Sequence, residues 1–111
     1  MNSLPKEGYV RGLKWTVKRV DGNHPALVNE SKSDKDVRPY YGMCDKFGYY
    51  GPELTIYVRK GLTPQVAWET LIHEFAHAIQ WGFKPFDLTK EMPVEIFAGE
   101  FFGLLRQWKL L

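Results

Sequence analysis

The chain has 111 residues, 44% hydrophobic and 15% aromatic, enough apolar material for one compact domain over residues 1–111 and too much for a disordered chain. Fifteen Lys and Arg against thirteen Asp and Glu leave a formal charge of +2, a balance that points to neither nucleic acid nor an anionic membrane as partner. Cys44 is the one cysteine, so no internal disulfide forms. With no signal-like run in Met1–Gly8 and no stretch near the roughly 18 apolar residues of a membrane span, a cytoplasmic protein is expected.

In chain order, Tyr9–Val20 alternates from Leu13 onward, with Leu13, Trp15, Val17 and Arg19 on one side, the period-two pattern of a half-buried strand. Asp21-Gly22-Asn23 ends it with turn chemistry. Ala26-Leu27-Val28 reads as a short extended piece, and Ser31–Arg38 as a polar surface loop. Tyr40–Cys44 is a further short strand, followed by breaks at Gly48 and Gly51-Pro52. Leu54–Val58 is the clearest strand, with Leu54, Ile56 and Val58 on one face and Lys60-Gly61 closing it.

The second half is helical. Thr63 suits an N-cap, and Pro64 suits the first helical position, where its missing N–H costs nothing. Apolar positions from Val66 through Ile79 predict a helix over about 64–81, with Gly82 as its C′ residue. After a loop over Phe83–Leu88, a last helix starts at Thr89, holds Pro93 in its first turn and runs through Trp108. Strands first and helices second predict an α+β fold, a small, mostly antiparallel sheet packed on the two helices.

The chemistry lies in His73-Glu74-Phe75-Ala76-His77. Histidines four apart on a helix project from one face a turn apart, so both imidazoles reach one zinc ion at about 2.0–2.1 Å. Glu74 stands beside that site, where it accepts a proton from an attacking water and passes it to a leaving amine. The pattern arises by chance in on the order of a few chains per thousand of this length, and here it falls in mid-helix, as the chemistry requires.

A catalytic zinc site needs a third protein ligand. His24 lies far upstream, Phe83 stands where a third histidine six residues past His77 would be, and Asp87 is a loop residue further on. The last helix offers Glu91, Glu95 and Glu100. Glu95 is the ligand expected, because its spacing from His77 allows a loop and a returning helix. Ala98 and Gly99 share its face and would let the helices approach closely. Glu100 projects about 140° away on an ideal helix, leaving it or Glu91 to receive the second N–H of a ligating histidine.

Leu71–Ala78 resembles the active-site helix of zincin metallopeptidases, and Pro93-Val94-Glu95-Ile96-Phe97-Ala98-Gly99-Glu100-Phe101 resembles the glutamate helix of gluzincins. The order strand, turn, motif helix, loop, glutamate helix is similar to minigluzincins and to short phage-associated and ImmA/IrrE-type peptidases. The resemblance covers roughly residues 40–105, and only the five-residue motif is specific. It implies a zinc peptidase with metal ligands His73, His77 and Glu95, catalytic Glu74, one Zn2+ per chain, and an endopeptidase's peptide or protein substrate extended along an edge strand. It also implies that a terminal segment can block the cleft in a latent form. Arg106–Leu111 is apolar enough for that, although the simpler expectation is that it finishes the last helix. The alternative function is a non-catalytic metal-binding regulatory or phage-derived interaction domain.

Several residues are candidates to stabilise an oxyanion: Tyr40, Tyr41, Tyr49, Tyr50, Tyr57, Arg106 and His24. Spacing selects none of them. Tyr49-Tyr50-Gly51-Pro52 is a candidate mobile rim. Cys44 reads as a small buried hydrophobe, and Trp68, Trp81 and Trp108 as core or helix-edge residues.

Overall fold

A computed structural model describes residues 3–28, 40–82 and 94–110, except for the side chains of residues 82 and 94–96. The loops expected at Ser31–Arg38 and Phe83–Leu88, and a helix start at Thr89 with Pro93, lie outside those residues. Among the described residues, four strands and two helices follow in order: β1 (Glu7–Val10), β2 (Leu13–Val20), β3 (Gly42–Asp45), β4 (Thr55–Arg59), α1 (Pro64–Gly82) and α2 (Val94–Gln107). The fold is α+β. One sheet runs β1-β2-β4-β3, antiparallel at β1–β2 and β3–β4 and parallel at β2–β4.

The segment read as one strand from Tyr9 is a hairpin. Arg11 and Gly12 both have positive φ, 49° and 79°, as a two-residue type I′ turn requires. Asn or Asp normally signals the first of these positions, and Arg does not. Here the side chain holds Arg11 in place: its guanidinium donates to the carbonyl of Ile79 and lies 3.7 Å from Glu100. Trp15 and Val17 are buried as their alternation predicts, whereas Leu13 and Arg19 on the same side are exposed at the strand ends.

β4 lies between β2 and β3 and is buried on both faces. Ile56 and Val58 meet Trp15, Val17 and the α1 residues Leu71, Phe75, Ala78 and Ile79. Tyr57 points the other way, into a smaller cluster with Ala26 and Leu27. Ala26–Val28 is therefore a turn, not an extended piece: the N–H groups of Leu27 and Val28 both donate to the His24 carbonyl, at 2.9 and 3.2 Å. That turn covers the back of the sheet, and the Tyr40 N–H donates to the Leu27 carbonyl at 2.8 Å, bringing the chain back to start β3.

The N-cap of α1 is as expected. The Val66 N–H donates to Thr63 Oγ1 at 3.4 Å, and the Ala67 N–H to the Thr63 carbonyl at 2.8 Å. α2 packs on the core through Phe97, Phe101, Leu104 and Trp108. It ends in a Schellman turn in which Lys109 has a φ of 59°, its N–H donating to Arg106 and that of Leu110 to Leu105.

Candidate metal and catalytic site

α1 turns Phe75, Ala78 and Ile79 into the core and leaves His73 and His77 exposed on its opposite flank. The two imidazoles stand nearly perpendicular, with Nε2 of His77 3.2 Å from Nε2 of His73. Two nitrogens on one tetrahedral zinc, each at about 2.0–2.1 Å, are about 3.3–3.4 Å apart, so this pair fits a shared divalent ion without rearranging the helix. Partial withdrawal of the His77 ring from water, then the charges of His73 and Lys46, pull its pKa down.

Glu74 is buried, at 8% exposure, between this pair and the sheet. Burial raises the pKa of its carboxyl, and the charges of His73 and Lys46 only partly oppose that rise. Its burial depends on how closely β3 lies against α1. A Cβ on Gly42 would stand 2.6 Å from Thr70 Cγ2, 3.0 Å from the Tyr57 carbonyl oxygen and 3.1 Å from Glu74 Cγ, so only glycine permits that approach. A cleft of about 430 Å3 runs between Tyr40–Gly42 and the α1 face from Val66 to Glu74.

At the end of β3, the Asp45 carboxylate is 2% exposed and accepts from the backbone N–H groups of Gly48, Tyr49 and Tyr50 at 2.9–3.0 Å. The stretch read as a mobile rim is thus tied to β3 at its near end. Asp45, Gly42 and Lys46 are the site-building residues that sequence reasoning missed. The signal for Asp45 was Asp-x-x-Gly, a side-chain-closed turn.

Among the candidate oxyanion donors, Tyr40 and Tyr41 line the cleft. Tyr57 and His24 lie behind the sheet, where their rings sit 5.0 Å apart at a tilt of 32° and His24 Nδ1 accepts from the Ala26 N–H. Tyr49 and Tyr50 are exposed on the Asp45 loop, and Arg106 is exposed near the end of α2. Cys44 is half-buried and packs against the core cluster, its thiol pushed up to about 12 chiefly by burial.

Glu95 is the second residue of α2, and its side chain lies outside the described residues, as do Asp87 and Glu91. Ala98 and Gly99 are exposed, and among the described residues a Cβ on Gly99 meets nothing within 4 Å, so these small residues do not make the helix–helix contact with α1 expected of them. The apolar positions Phe97, Phe101 and Leu104 take that place. Glu100 pairs with Arg11. Among the described residues, no three His, Cys, Asp or Glu side chains gather closely enough to hold a metal ion.

The terminal segment that a latent form would use is engaged elsewhere. Gln107 donates to the Tyr9 carbonyl at 2.9 Å and accepts from its N–H at 2.7 Å, and Trp108 Nε1 donates to the Glu7 carbonyl at 3.0 Å. These bonds cover β1, the sheet edge opposite β3. No helix among the described residues is long and apolar enough to cross a membrane. No protein-family model matches the chain, and neither a curated protein nor a solved structure matches it.

Proposed function

We propose that the protein is a zinc-dependent metallopeptidase of the gluzincin type, with His73 and His77 as metal ligands, Glu95 as the third ligand and Glu74 as general base. The observation that carries this reading is the 3.2 Å separation of the two Nε2 atoms on a helix whose next carboxyl, Glu74, is buried at the wall of a cleft. When bound, zinc would polarise the scissile carbonyl and lower the pKa of a bound water towards about 7. Glu74 takes the proton from the attacking water and delivers it to the leaving nitrogen. β3 is the outer strand of the sheet among the described residues and lies alongside, where an extended peptide would add to the sheet through its backbone, with Tyr40 or Tyr41 supplying a phenolic donor to the developing oxyanion.

The test combines metal content with turnover. The parent protein is expected to hold one zinc per chain, to lose it on Glu95→Ala and to keep it on Glu100→Ala. Glu74→Gln is expected to keep the metal while peptide hydrolysis falls by about 10²–10⁴. A parent that binds no zinc when the metal is supplied rules this reading out. A parent that binds zinc, cleaves nothing and keeps its properties on Glu74→Gln is instead a metal-binding interaction domain.

A further inference from the structure

The cleft beside the histidine pair has a chemical character of its own. On α1, Val66, Glu69, Thr70 and His73 share one face, with Glu69 one helical turn, about 5.4 Å, ahead of His73. Thr70 donates its hydroxyl to the Val66 carbonyl at 2.7 Å and turns its methyl group towards Gly42, so the wall formed by Val66 and Thr70 is apolar. Glu69 lies further out and is exposed, with Gln65 Nε2 donating to one of its carboxylate oxygens at 3.1 Å. Across from it stand Tyr40 and Tyr41, 43% and 53% exposed. The Tyr41 ring already carries a guanidinium, that of Arg59, 5.9 Å from its centroid. At about 430 Å3 the space falls in the range of ligand pockets, roughly 300–1,000 Å3, and exceeds what a small side chain fills.

We infer that this cleft is a specificity subsite for a lysine or arginine side chain of the peptide, its stem against Val66 and the Thr70 methyl and its cationic head between the Glu69 carboxylate and the Tyr40 ring. Long cationic side chains place apolar stems on apolar walls and keep the head in a polar, solvated position, and an aromatic face with a carboxylate opposite matches that head. An acidic side chain would instead meet Glu69 and Glu74 together. The assignment rests on the peptidase reading for its peptide ligand, but it is tested by binding as well as by cleavage.

The probes are blocked alanine hexapeptides carrying one arginine, norleucine or glutamate at each position in turn. Their binding is measured by titration to the Glu74→Gln protein, and their cleavage by the parent is followed by mass spectrometry. At one position arginine is expected to bind about three- to tenfold tighter than norleucine, with glutamate weakest. Glu69→Gln should remove most of that preference, and Glu69→Lys should reverse it in favour of glutamate. Equal binding of the three series, no measurable binding of any arginine peptide, or a preference untouched by Glu69→Lys overturns the subsite. Cleavage without charge preference leaves the peptidase reading standing and removes the subsite. Glu69-dependent binding of arginine peptides that the parent never cleaves leaves the subsite standing and removes the peptidase.

Discussion

Glu74 is a buried carboxyl whose ionisation works against the stability of its own fold. A carboxyl withdrawn from water holds its proton more tightly folded than unfolded, so its contribution to stability is greatest in acid, below its ordinary value of 4.5. That contribution is lost as the pH rises through the raised folded value. In the presence of a chelator, Glu74→Gln should therefore raise the thermal midpoint at pH 8 by a few degrees, and the gain should vanish towards pH 4. Scanning calorimetry across that pH range checks it, and a variant no more stable than the parent at pH 8 contradicts the burial argument. The role proposed for Glu74 rests on its place in the motif, because one-residue offsets on a helix are local geometry. Its burial was not, since that depends on Gly42, from a strand whose distance in sequence gives no hint of contact.

The elements differ in how far their sequences announce them. α1 was readable at its start because Thr63-Pro64 is a local cap, and its inward positions follow from period alone. The β1–β2 turn was not readable, because Arg11 occupies a left-handed position on the strength of contacts to Ile79 and Glu100, both distant in sequence. On α2 the pairing of small residues with a helix–helix contact misled, since Ala98 and Gly99 face outward. Two glycines should therefore respond oppositely to alanine. Gly42→Ala drives a Cβ against Thr70 and the backbone of β4 and should cost about 1–3 kcal/mol. Gly99→Ala adds a methyl group in open space on a helix and should stabilise by about 0.5–1 kcal/mol. Urea unfolding of both variants measures the difference. A neutral Gly42→Ala would mean that β3 does not need this close approach to α1.

Across the whole molecule, one sheet separates two apolar clusters of unequal size, the larger under the helices and the smaller under the His24–Leu27 turn. The α+β class followed from the order of the elements, but the back layer did not, because Tyr57, Ala26 and Leu27 carry no periodic signal. Nor did the parallel pairing of β2 with β4, which aligns Thr16 with Thr55 and Val20 with Arg59 while β3 is strung between them in sequence. That alignment governs the speed of folding. A parallel pair closes a long loop before any contact compensates for the lost chain entropy, so the barrier should lie at the joining of β2 and β4. Ile56→Val is then expected to slow refolding by most of its destabilisation, whereas Leu104→Ala, where α2 docks, should mainly speed unfolding. Stopped-flow chevrons separate the two, and the reverse pattern would place the barrier at helix docking. A nascent α1 forms within about a microsecond, yet its histidines gain a wall and Glu74 its burial only once the sheet has closed, at the slower pace of strand pairing.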